Sequence, residues 1–233
     1  LARQEIGVYD LRNGAKKMCG IVSILSSGRD LFDRVEILEE MLSKISHRGP
    51  DANGRVHLLN QALFGHCRLA IIDIEHGAQP MQSTDGRFTL VFNGEIYNFI
   101  EIRESLIKEG YPVLTYSDTE VLLQLLIQKR ENALPLLNGM FAFVFHDRDT
   151  NDWIAARDQF GIKPLYFSKL DEELLFASEI KAILSHPLVC AKRNEAALQQ
   201  YLTFQCCLDE NTLFNNIYKI RPGHLIKGNG AKI

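Results

Sequence analysis

The sequence predicts an α+β fold in which stacked antiparallel sheets are flanked by helices. Candidate strands outnumber candidate helices, and several strands follow one another with short connections, which is typical of antiparallel pairing rather than of alternating βαβ units. The chain has 233 residues, of which 46% are hydrophobic and 24% charged, so it is long enough for one sizeable core. We find no internal repeat and no low-complexity segment that would indicate another architecture.

The first half of the chain begins its regular structure with a buried strand at residues 20–25, where the apolar run is continuous. An amphipathic helix is predicted at residues 31–45, because apolar residues recur there at helical spacing with charged residues between them. Further strands are predicted at residues 55–59, 62–66, 69–74 and 88–92. Asn93-Gly94 predicts a tight turn after the last of these strands, since both residues tolerate positive φ.

The second half of the chain carries two longer helices before its strands. One helix is predicted at residues 99–109, with Gly110 suited to its C-terminal cap. The next begins at Ser117, which is followed three residues later by Glu120 as in a capping box, and ends near residue 130. Strands are then predicted at residues 140–145, 153–156, 164–168 and 174–177, and shorter helices at residues 179–184 and 195–202.

Charge and cysteine content argue against several classes of function. The formal net charge is −3, and no run of Lys and Arg with interleaved aromatic residues indicates a nucleic-acid surface. No apolar run is long enough to span a membrane, and residues 1–17 lack an apolar signal core. The five cysteines have neither zinc-ligand spacing nor the pattern of a disulfide framework. We therefore expect no metal site, no membrane or nucleic-acid partner, and a cytoplasmic location.

The stretch Met18-Cys19-Gly20-Ile21 is the first candidate for chemistry. If everything through Met18 were removed, Cys19 would carry a free α-amino group beside its thiol. A thiol becomes a strong nucleophile when a neighbouring base takes its proton, and an α-amine has a pKa of about 7.7–8.0. Cys19 could then supply nucleophile and base from one residue, whereas the alternative interpretation is a small buried hydrophobic side chain.

Residues 1–18 form a polar leader without convincing periodicity. Three interpretations remain open for it. The leader is a propeptide removed before Cys19, an upstream start assigned in error when translation begins at Met18, or residues added for expression.

Three polar sites along the chain suit the binding of an amino acid. Arg68 could clamp a carboxylate through two parallel hydrogen bonds, or form a surface ion pair. The Asn93 side chain and the Gly94 N–H could form an oxyanion hole, or a plain hairpin turn. Asp118 lies in the first turn of a predicted helix, where it could face a ligand ammonium or remain a solvated carboxylate.

Seven ordered motifs give these sites a context. The motifs are Cys19-Gly20-Ile21, residues 47–51 (HRGPD), residues 68–73 (RLAIID), residues 93–98 (NGEIYN), residues 117–120 (SDTE), residues 139–143 (GMFAF) and residues 157–166 (RDxxGIKPLY). Together they closely resemble the glutaminase domain of glutamine-hydrolysing asparagine synthetases, which are class II glutamine amidotransferases and N-terminal-nucleophile hydrolases. The resemblance covers Cys19 to about Gly228.

This resemblance implies an αββα sandwich of two stacked antiparallel sheets and a catalytic role for three residues. Cys19 would be the nucleophile, with its own α-amine as the base. Asn93 and the N–H of Gly94 would form the oxyanion hole. Arg48 and Asp51 would brace the site rather than act in it.

The resemblance also implies how glutamine is bound. Arg68 would bind the α-carboxylate of glutamine, and Asp118 would bind its α-ammonium group. Glu95 would line the same pocket, and the backbone of Ile71 and Ile72 would contact the substrate. Asn93 and Gly94 would complete this set. The product would be glutamate and ammonia, released through a Cys thioester.

The domain organisation implied by the resemblance has three parts: the leader at 1–18, the glutaminase domain at 19–205, and a truncated connector at 206–233. A synthetase domain in cis would use the ammonia to convert aspartate to asparagine, with ATP and Mg²⁺ as its cofactors. The glutaminase domain itself would need no cofactor, and a homodimer is possible. Two alternatives remain: a sugar or peptide acceptor for the ammonia, and a silent regulatory domain if Cys19 is not the mature N-terminus.

Two other cysteine sites receive a structural interpretation. His66 lies next to Cys67, but this pair falls in an apolar strand and is interpreted as structural rather than catalytic. Cys206-Cys207 has no nearby histidine and is expected to be buried at a domain junction.

Overall fold

The fold is known from a computed structural model that describes residues 18–69 and 77–233. The described residues form four layers, helix–sheet–sheet–helix, with antiparallel pairing throughout both sheets. The predicted αββα sandwich is therefore confirmed. Ile71, Ile72 and the leader up to residue 17 lie outside the described residues, as does most of the strand predicted at 69–74.

The strand and helix bounds follow the predicted elements closely in most places. The strands are β1 Gly20–Ser26, β2 Ala52–Leu58, β3 Ala62–Arg68, β4 Met81–Gln82, β5 Phe88–Ile96, β6 Gly139–Asp147, β7 Asp152–Arg157, β8 Tyr166–Lys169, β9 Glu173–Ala177, β10 Tyr218–Lys219 and β11 Leu225–Asn229. The helices are α1 Val35–Ile45, α2 Phe99–Lys108, α3 Asp118–Lys129, α4 Ile180–Ile183 and α5 Glu195–Phe204. None of these helices, in the part of the chain described, is long and apolar enough to cross a membrane.

The two sheets bury three apolar layers. Within the described residues, one sheet has the order β10-β8-β9-β1-β3-β2 and the other β11-β7-β6-β5-β4. The central layer lies between the sheets and includes Ile21, Phe64 and Trp153. The outer layers pack α2 and α3 on the second sheet, and α1 and α4 on the first. Alternation along each strand thus divides its side chains between an inter-sheet face and a helix-facing face.

The segment expected to be a connector contributes a strand to each sheet. β10 pairs with β8, and β11 pairs with β7 over the full length of β11. The indole nitrogen of Trp153 donates a hydrogen bond of 2.8 Å to the carbonyl of Gly230. In this chain Cys206 is exposed and Cys207 is half-buried, and their burial at a domain junction stays a prediction.

The turn predicted at Asn93-Gly94 is wrong, because both residues lie inside β5. All nine residues of β5 pair with β6, including Asn93 with Ala142 and Gly94 with Phe141. A Cβ on Gly94 would lie 2.3 Å from the carbonyl oxygen of Met140. Glycine is therefore required here by close packing of two backbones rather than by a turn.

The capping box predicted at Ser117 forms in part. The Ser117 hydroxyl accepts a hydrogen bond from the N–H of Thr119 at the start of α3. The Glu120 carboxylate, however, accepts from the N–H groups of Leu114 and Thr115 instead of returning to Ser117. The Glu120 carboxylate thus binds the loop before the helix, whereas in a capping box it would bind the backbone of the N-cap residue.

Candidate active site

Strand alternation brings three of the predicted site residues to one end of the inter-sheet layer. Cys19 directly precedes β1, Arg68 ends β3, and Asn93 lies in β5. Ile21 and Val91 belong to the inter-sheet core, and each is two positions from Cys19 or Asn93. Because side chains repeat every second residue along a strand, Cys19 and Asn93 point to the same layer as these core residues. Both line one cavity of about 100 Å³, together with Arg68.

The Cys19 thiol is held by the backbone of a single residue. The N–H of Leu69 donates to Sγ at 3.4 Å, and the thiol donates to the Leu69 carbonyl at 3.6 Å. Burial raises the pKa of the thiol, whereas the Leu69 N–H and the cations Lys163, Arg68 and Arg48 act in the opposite direction. Sulfur ionisation at this site therefore depends on groups that offset its burial.

Arg48 fixes the backbone of Cys19 from behind. Its Nε donates to the Cys19 carbonyl at 3.0 Å, and its Nη1 donates to the Glu179 carboxylate at 2.9 Å. Gly49 follows, where a Cβ would lie 2.4 Å from the Cys67 carbonyl, so only glycine lets this turn approach β3. The N–H of Asp51 donates to the carbonyl of Arg68 at 3.1 Å. Both predicted bracing residues thus lie at the backbone that carries the site.

The residues predicted to form the oxyanion hole lie in β5, and the edge of β5 that faces away from β6 carries donors. Asn93 is 1% exposed, and its Nδ2 has no hydrogen-bond partner among the described residues. The N–H groups of Phe92 and Ile96 point away from β6, to the side chains of Gln79 and Asp118 respectively. The Gly94 N–H lies midway between these two groups and faces the same edge, because N–H directions alternate along a strand. An amide donor and a backbone donor therefore converge on the cavity.

Opposite charges lie at separate places in the cavity wall. Arg68 contributes a cation from the end of β3, and Glu95 and Asp118 contribute carboxyl groups. Asp118 is 6% exposed, and its carboxylate accepts from the N–H of Ile96 at 3.1 Å. Burial raises the pKa of Asp118 to about 6, and nearby Glu95 adds to this rise, while hydrogen bonds from Ile96 and Thr119 oppose it. A bound cation would relieve this cost.

The cavity brings together most of the residues predicted for the site. Cys19, Arg68, Asn93, Gly94, Glu95 and Asp118 all line it. Arg48 and Asp51 lie outside its lining, in keeping with a bracing role, and Ile71 and Ile72 lie outside the described residues. The remaining lining residues are Met18, Leu69, Gly77, Gln79, Phe92, Ser117, Thr119, Met140 and Lys163.

Gln79 and Lys163 are two of the polar wall residues that sequence reasoning missed. The side-chain oxygen of Gln79 accepts a hydrogen bond of 2.6 Å from the N–H of Phe92. A side chain thus takes the place of a neighbouring strand at this edge of β5. Lys163 is 6% exposed and belongs to the motif at 157–166, which carried a signal but no assigned role. Neither position could be placed in the site without knowing which strands are neighbours.

The interpretation of His66 and Cys67 as structural is supported by their opposite orientations in β3. Alternation turns His66 to the inter-sheet layer and Cys67 to the layer under α1. Burial lowers the pKa of His66 to about 4, and burial raises the pKa of Cys67 to about 11. Among the described residues, no group of three His, Cys, Asp or Glu residues could hold a metal ion.

Comparison with known proteins identifies the family of this chain. A family model described as "Glutamine amidotransferase domain" matches residues 18–233. The chain belongs to the glutamine amidotransferase domain family. The resemblance stated from the seven motifs is therefore confirmed at the level of the family.

Individual relatives of this amidotransferase domain are much longer than the chain. It is 41% identical to Asparagine synthetase [glutamine-hydrolyzing] 1 of Bacillus subtilis (strain 168) over 208 residues, which are 88% of this chain and 33% of the relative. It is 35% identical to Amidase chry2 of Gibberella zeae over 220 residues, 90% of this chain and 32% of the relative. The chain thus spans about one third of each relative.

The fold of this amidotransferase domain also matches a solved enzyme. The glutamine phosphoribosylpyrophosphate amidotransferase of B. subtilis, complexed with ADP and GMP, aligns with a TM-score of 0.60 at 20% identity. The alignment covers 91% of this chain and 49% of the solved one. The similarity at this identity establishes the shared fold.

Proposed function

We propose that this chain hydrolyses the side-chain amide of glutamine, with Cys19 as the nucleophile, and releases glutamate and ammonia. The observation that carries the proposal is the convergence on one cavity of the Cys19 thiol, the unpartnered Asn93 amide and the edge-facing Gly94 N–H. A nucleophile opposite two hydrogen-bond donors is the arrangement needed to form and stabilise a tetrahedral intermediate.

The reaction divides into two steps at Cys19. In the first, sulfur attacks the amide carbon, the C–N bond breaks, and nitrogen leaves as ammonia with the proton that came from the thiol. In the second, water attacks the thioester, the C–S bond breaks, and glutamate leaves as the thiol regains a proton. Asn93 and Gly94 stabilise the oxyanion in both steps. The α-amine of Cys19 moves these protons only when Cys19 is the first residue.

Glutamine recognition follows from the charges at the cavity wall. We assign the α-carboxylate of glutamine to Arg68 and its α-ammonium group to Asp118, with Glu95 beside it. Two fixed charges of opposite sign orient the amino acid so that only its side-chain amide reaches Cys19. The contact with the backbone of Ile71 and Ile72 stays a prediction.

The ammonia serves a synthetase domain in the same polypeptide, in this proposal. The named relative from B. subtilis is a glutamine-hydrolysing asparagine synthetase, of which this chain matches about one third. That synthetase domain would use ATP and Mg²⁺ to convert aspartate to asparagine. Five free cysteines favour a reducing, cytoplasmic location, and a homodimer stays a prediction.

A second acceptor is favoured by one relative. The match to Amidase chry2 covers as much of this chain as the match to the asparagine synthetase, at somewhat lower identity. The same glutaminase could therefore supply ammonia to an acceptor other than aspartate, such as a sugar or a peptide. The domain that binds the acceptor decides between these substrates.

Glutamate release measured on matched chains tests the proposal. We expect the chain beginning at Cys19 to release glutamate from glutamine, and the chain that retains residues 1–18 to be inactive because the nitrogen of Cys19 is then an amide. N-terminal sequencing must verify each start. Cys19→Ala should abolish release, and Asn93→Ala should lower turnover by about 10²–10³ through loss of one oxyanion donor.

The matched control is Cys190→Ala, because Cys190 is exposed and is not among the residues that line the cavity. It should leave turnover unchanged. Full activity of Cys19→Ala would overturn the proposal. Inactivity of a folded chain that begins at Cys19 would instead support a silent regulatory domain.

A further inference from the structure

Asp158 organises the loop that follows β7. Its carboxylate is fully buried and accepts four backbone N–H groups, two on each oxygen. Oδ1 accepts from Phe160 at 3.0 Å and from Ile162 at 2.9 Å. Oδ2 accepts from Lys163 at 3.0 Å and from Phe141 in β6 at 3.2 Å. A buried charge satisfied in this way fixes the loop backbone against the second sheet.

The Arg157 side chain holds the same loop by donating hydrogen bonds to backbone carbonyl groups. Its guanidinium donates to the carbonyls of Gly161 at 2.6 Å, Lys163 at 2.8 Å and Ile220 at 2.9 Å. The N–H of Lys163 is thus held by Asp158 while its carbonyl is held by Arg157. Both backbone polar groups of the residue whose side chain enters the cavity are therefore hydrogen-bonded to side chains.

The Lys163 side chain lies buried beside the nucleophile. Its ammonium nitrogen is 3.2 Å from the sulfur of Met18, the residue bonded to Cys19. A thioether is a weak and uncharged acceptor, so it leaves the charge of Lys163 uncancelled. In the part of the chain that the structure describes, Lys163 forms no salt bridge with a carboxylate. Burial lowers the pKa of Lys163, and nearby Cys19 opposes this change.

We propose that Lys163 is a positioning residue whose ammonium group, fixed by the loop at 157–163, stabilises the ionised thiol of Cys19. The inference deepens the proposed function, since that thiolate is the nucleophile of the proposed hydrolysis. A rigid cation at a buried thiol favours the thiolate with little reorganisation.

The other cations around Cys19 have different binding roles. Arg48 binds the Cys19 carbonyl and the Glu179 carboxylate, and Arg68 is the residue assigned to the substrate carboxylate. The groups that face Lys163 itself are Cys19, Arg48, Glu95 and Asp158. Asp158 is occupied by its four N–H donors. Of the three cations, Lys163 is therefore the one assigned neither to a described carboxylate nor to the substrate, and the Cys19 thiolate and Glu95 are the remaining anions it faces.

The test is the rate of Cys19 alkylation by iodoacetamide, read by mass spectrometry at a series of pH values from about 6 to about 10. In Lys163→Met, the pKa of the Cys19 thiol should rise by about one unit, so alkylation at each pH below that pKa slows about tenfold. Lys163→Arg retains a cation and should restore most of the rate. The exposed Cys190 and Cys206 are internal standards in every sample.

Two controls separate charge from fold. Lys44→Met removes a lysine that is 45% exposed on α1 and should change nothing at Cys19. Lys163→Gln provides a second neutral variant if Lys163→Met does not fold, as judged by thermal unfolding. An unchanged Cys19 profile in a folded neutral variant, or an Arg variant as slow as Met, would overturn the inference.

The alkylation assay does not require glutamine hydrolysis. If the shift appears but the chain beginning at Cys19 releases no glutamate, the proposed function fails and the role of Lys163 stands. If glutamate is released and the shift is absent, the inference fails alone.

Discussion

Asp118 shows how one buried side chain reverses the preference of a helix end. It is the first residue of α3, where the helix N-terminus stabilises negative charge. Burial nevertheless outweighs this effect and raises the pKa of Asp118 to about 6. The pocket therefore holds a carboxyl group that ionises most readily when a cation is bound.

We predict that Asp118→Asn weakens glutamine binding and stabilises the folded chain. The Asn oxygen can still accept from Ile96, but it carries no charge for the substrate ammonium group. The folded pKa lies above the ordinary value of 3.8, so the ionised carboxylate costs stability that is fully felt above about pH 6. Asp118→Asn should raise the free energy of unfolding near neutral pH by about 1–3 kcal/mol and weaken glutamine binding.

Calorimetric titration and urea unfolding measure the two effects of this substitution. In the unsubstituted chain, glutamine affinity should fall as pH is lowered through 6, about tenfold per unit below it, because protonated Asp118 cannot pair with an ammonium group. Asp118→Asn should lose this dependence. Glu101→Gln on the exposed face of α2 is the matched control. An affinity independent of pH in the unsubstituted chain would contradict the assignment.

The sequence motifs predicted six of the residues that line the cavity, but not Gln79 or Lys163. Cys19, Asn93 and Asp118 lie in sequence motifs that indicate their proposed roles. Gln79 and Lys163 were missed because their roles arise only when separate loops meet β1 and β5. A side chain that offsets the effect of burial on a neighbouring group has no recognisable sequence pattern.

At the level of elements, Asp158 is the connection between β6, β7 and the loop that carries Lys163. Asp158→Asn would place an amide donor where the carboxylate now accepts backbone N–H groups. At least one buried N–H would lose its partner, which costs about 1–3 kcal/mol for each unsatisfied group. We predict a loss of about 2–4 kcal/mol in the free energy of unfolding, measured with urea.

The control for this element is Asp171→Asn in the exposed turn between β8 and β9, which should change the free energy of unfolding by less than about 0.5 kcal/mol. Equal stability of the Asp158 and Asp171 variants would contradict the structural role of the buried carboxylate.

Element boundaries were predictable where the pattern was local, and failed where pairing decided them. The α1 stripe and the caps of α3 can be identified from spacing and residue type. Asn93-Gly94 was misread because the turn preference of two residues is weaker than nine pairs with β6. Local preference gives way to sheet pairing whenever the neighbouring strand is long.

The whole molecule depends on its last residues. β11 covers the edge of β7, and Ile220 and Ala231 belong to the inter-sheet core. A chain that ended at the predicted domain boundary, residue 205, would lack β11, Ile220 and Ala231. We predict that a chain ending at 205 exposes the β7 edge and aggregates, as size-exclusion chromatography would show. Deleting Ile233 alone should leave a monodisperse protein, and a monodisperse, folded chain ending at 205 would contradict the prediction.

The order of strands was the part of the molecule least accessible to sequence analysis. β1 lies between β9 and β3, which come from opposite halves of the chain. Nothing in a short apolar run specifies its neighbours, since pairing at such separations is settled by the packing of complete sheets.

The shared orientation of Cys19 and Asn93 has a consequence for insertions and deletions. One residue inserted between Cys19 and Ile21, or between Val91 and Asn93, would turn the functional side chain from the inter-sheet layer to the helix layer. Two inserted residues would restore the direction. Insertions of two residues in these strands should therefore preserve the cavity lining where insertions of one residue do not.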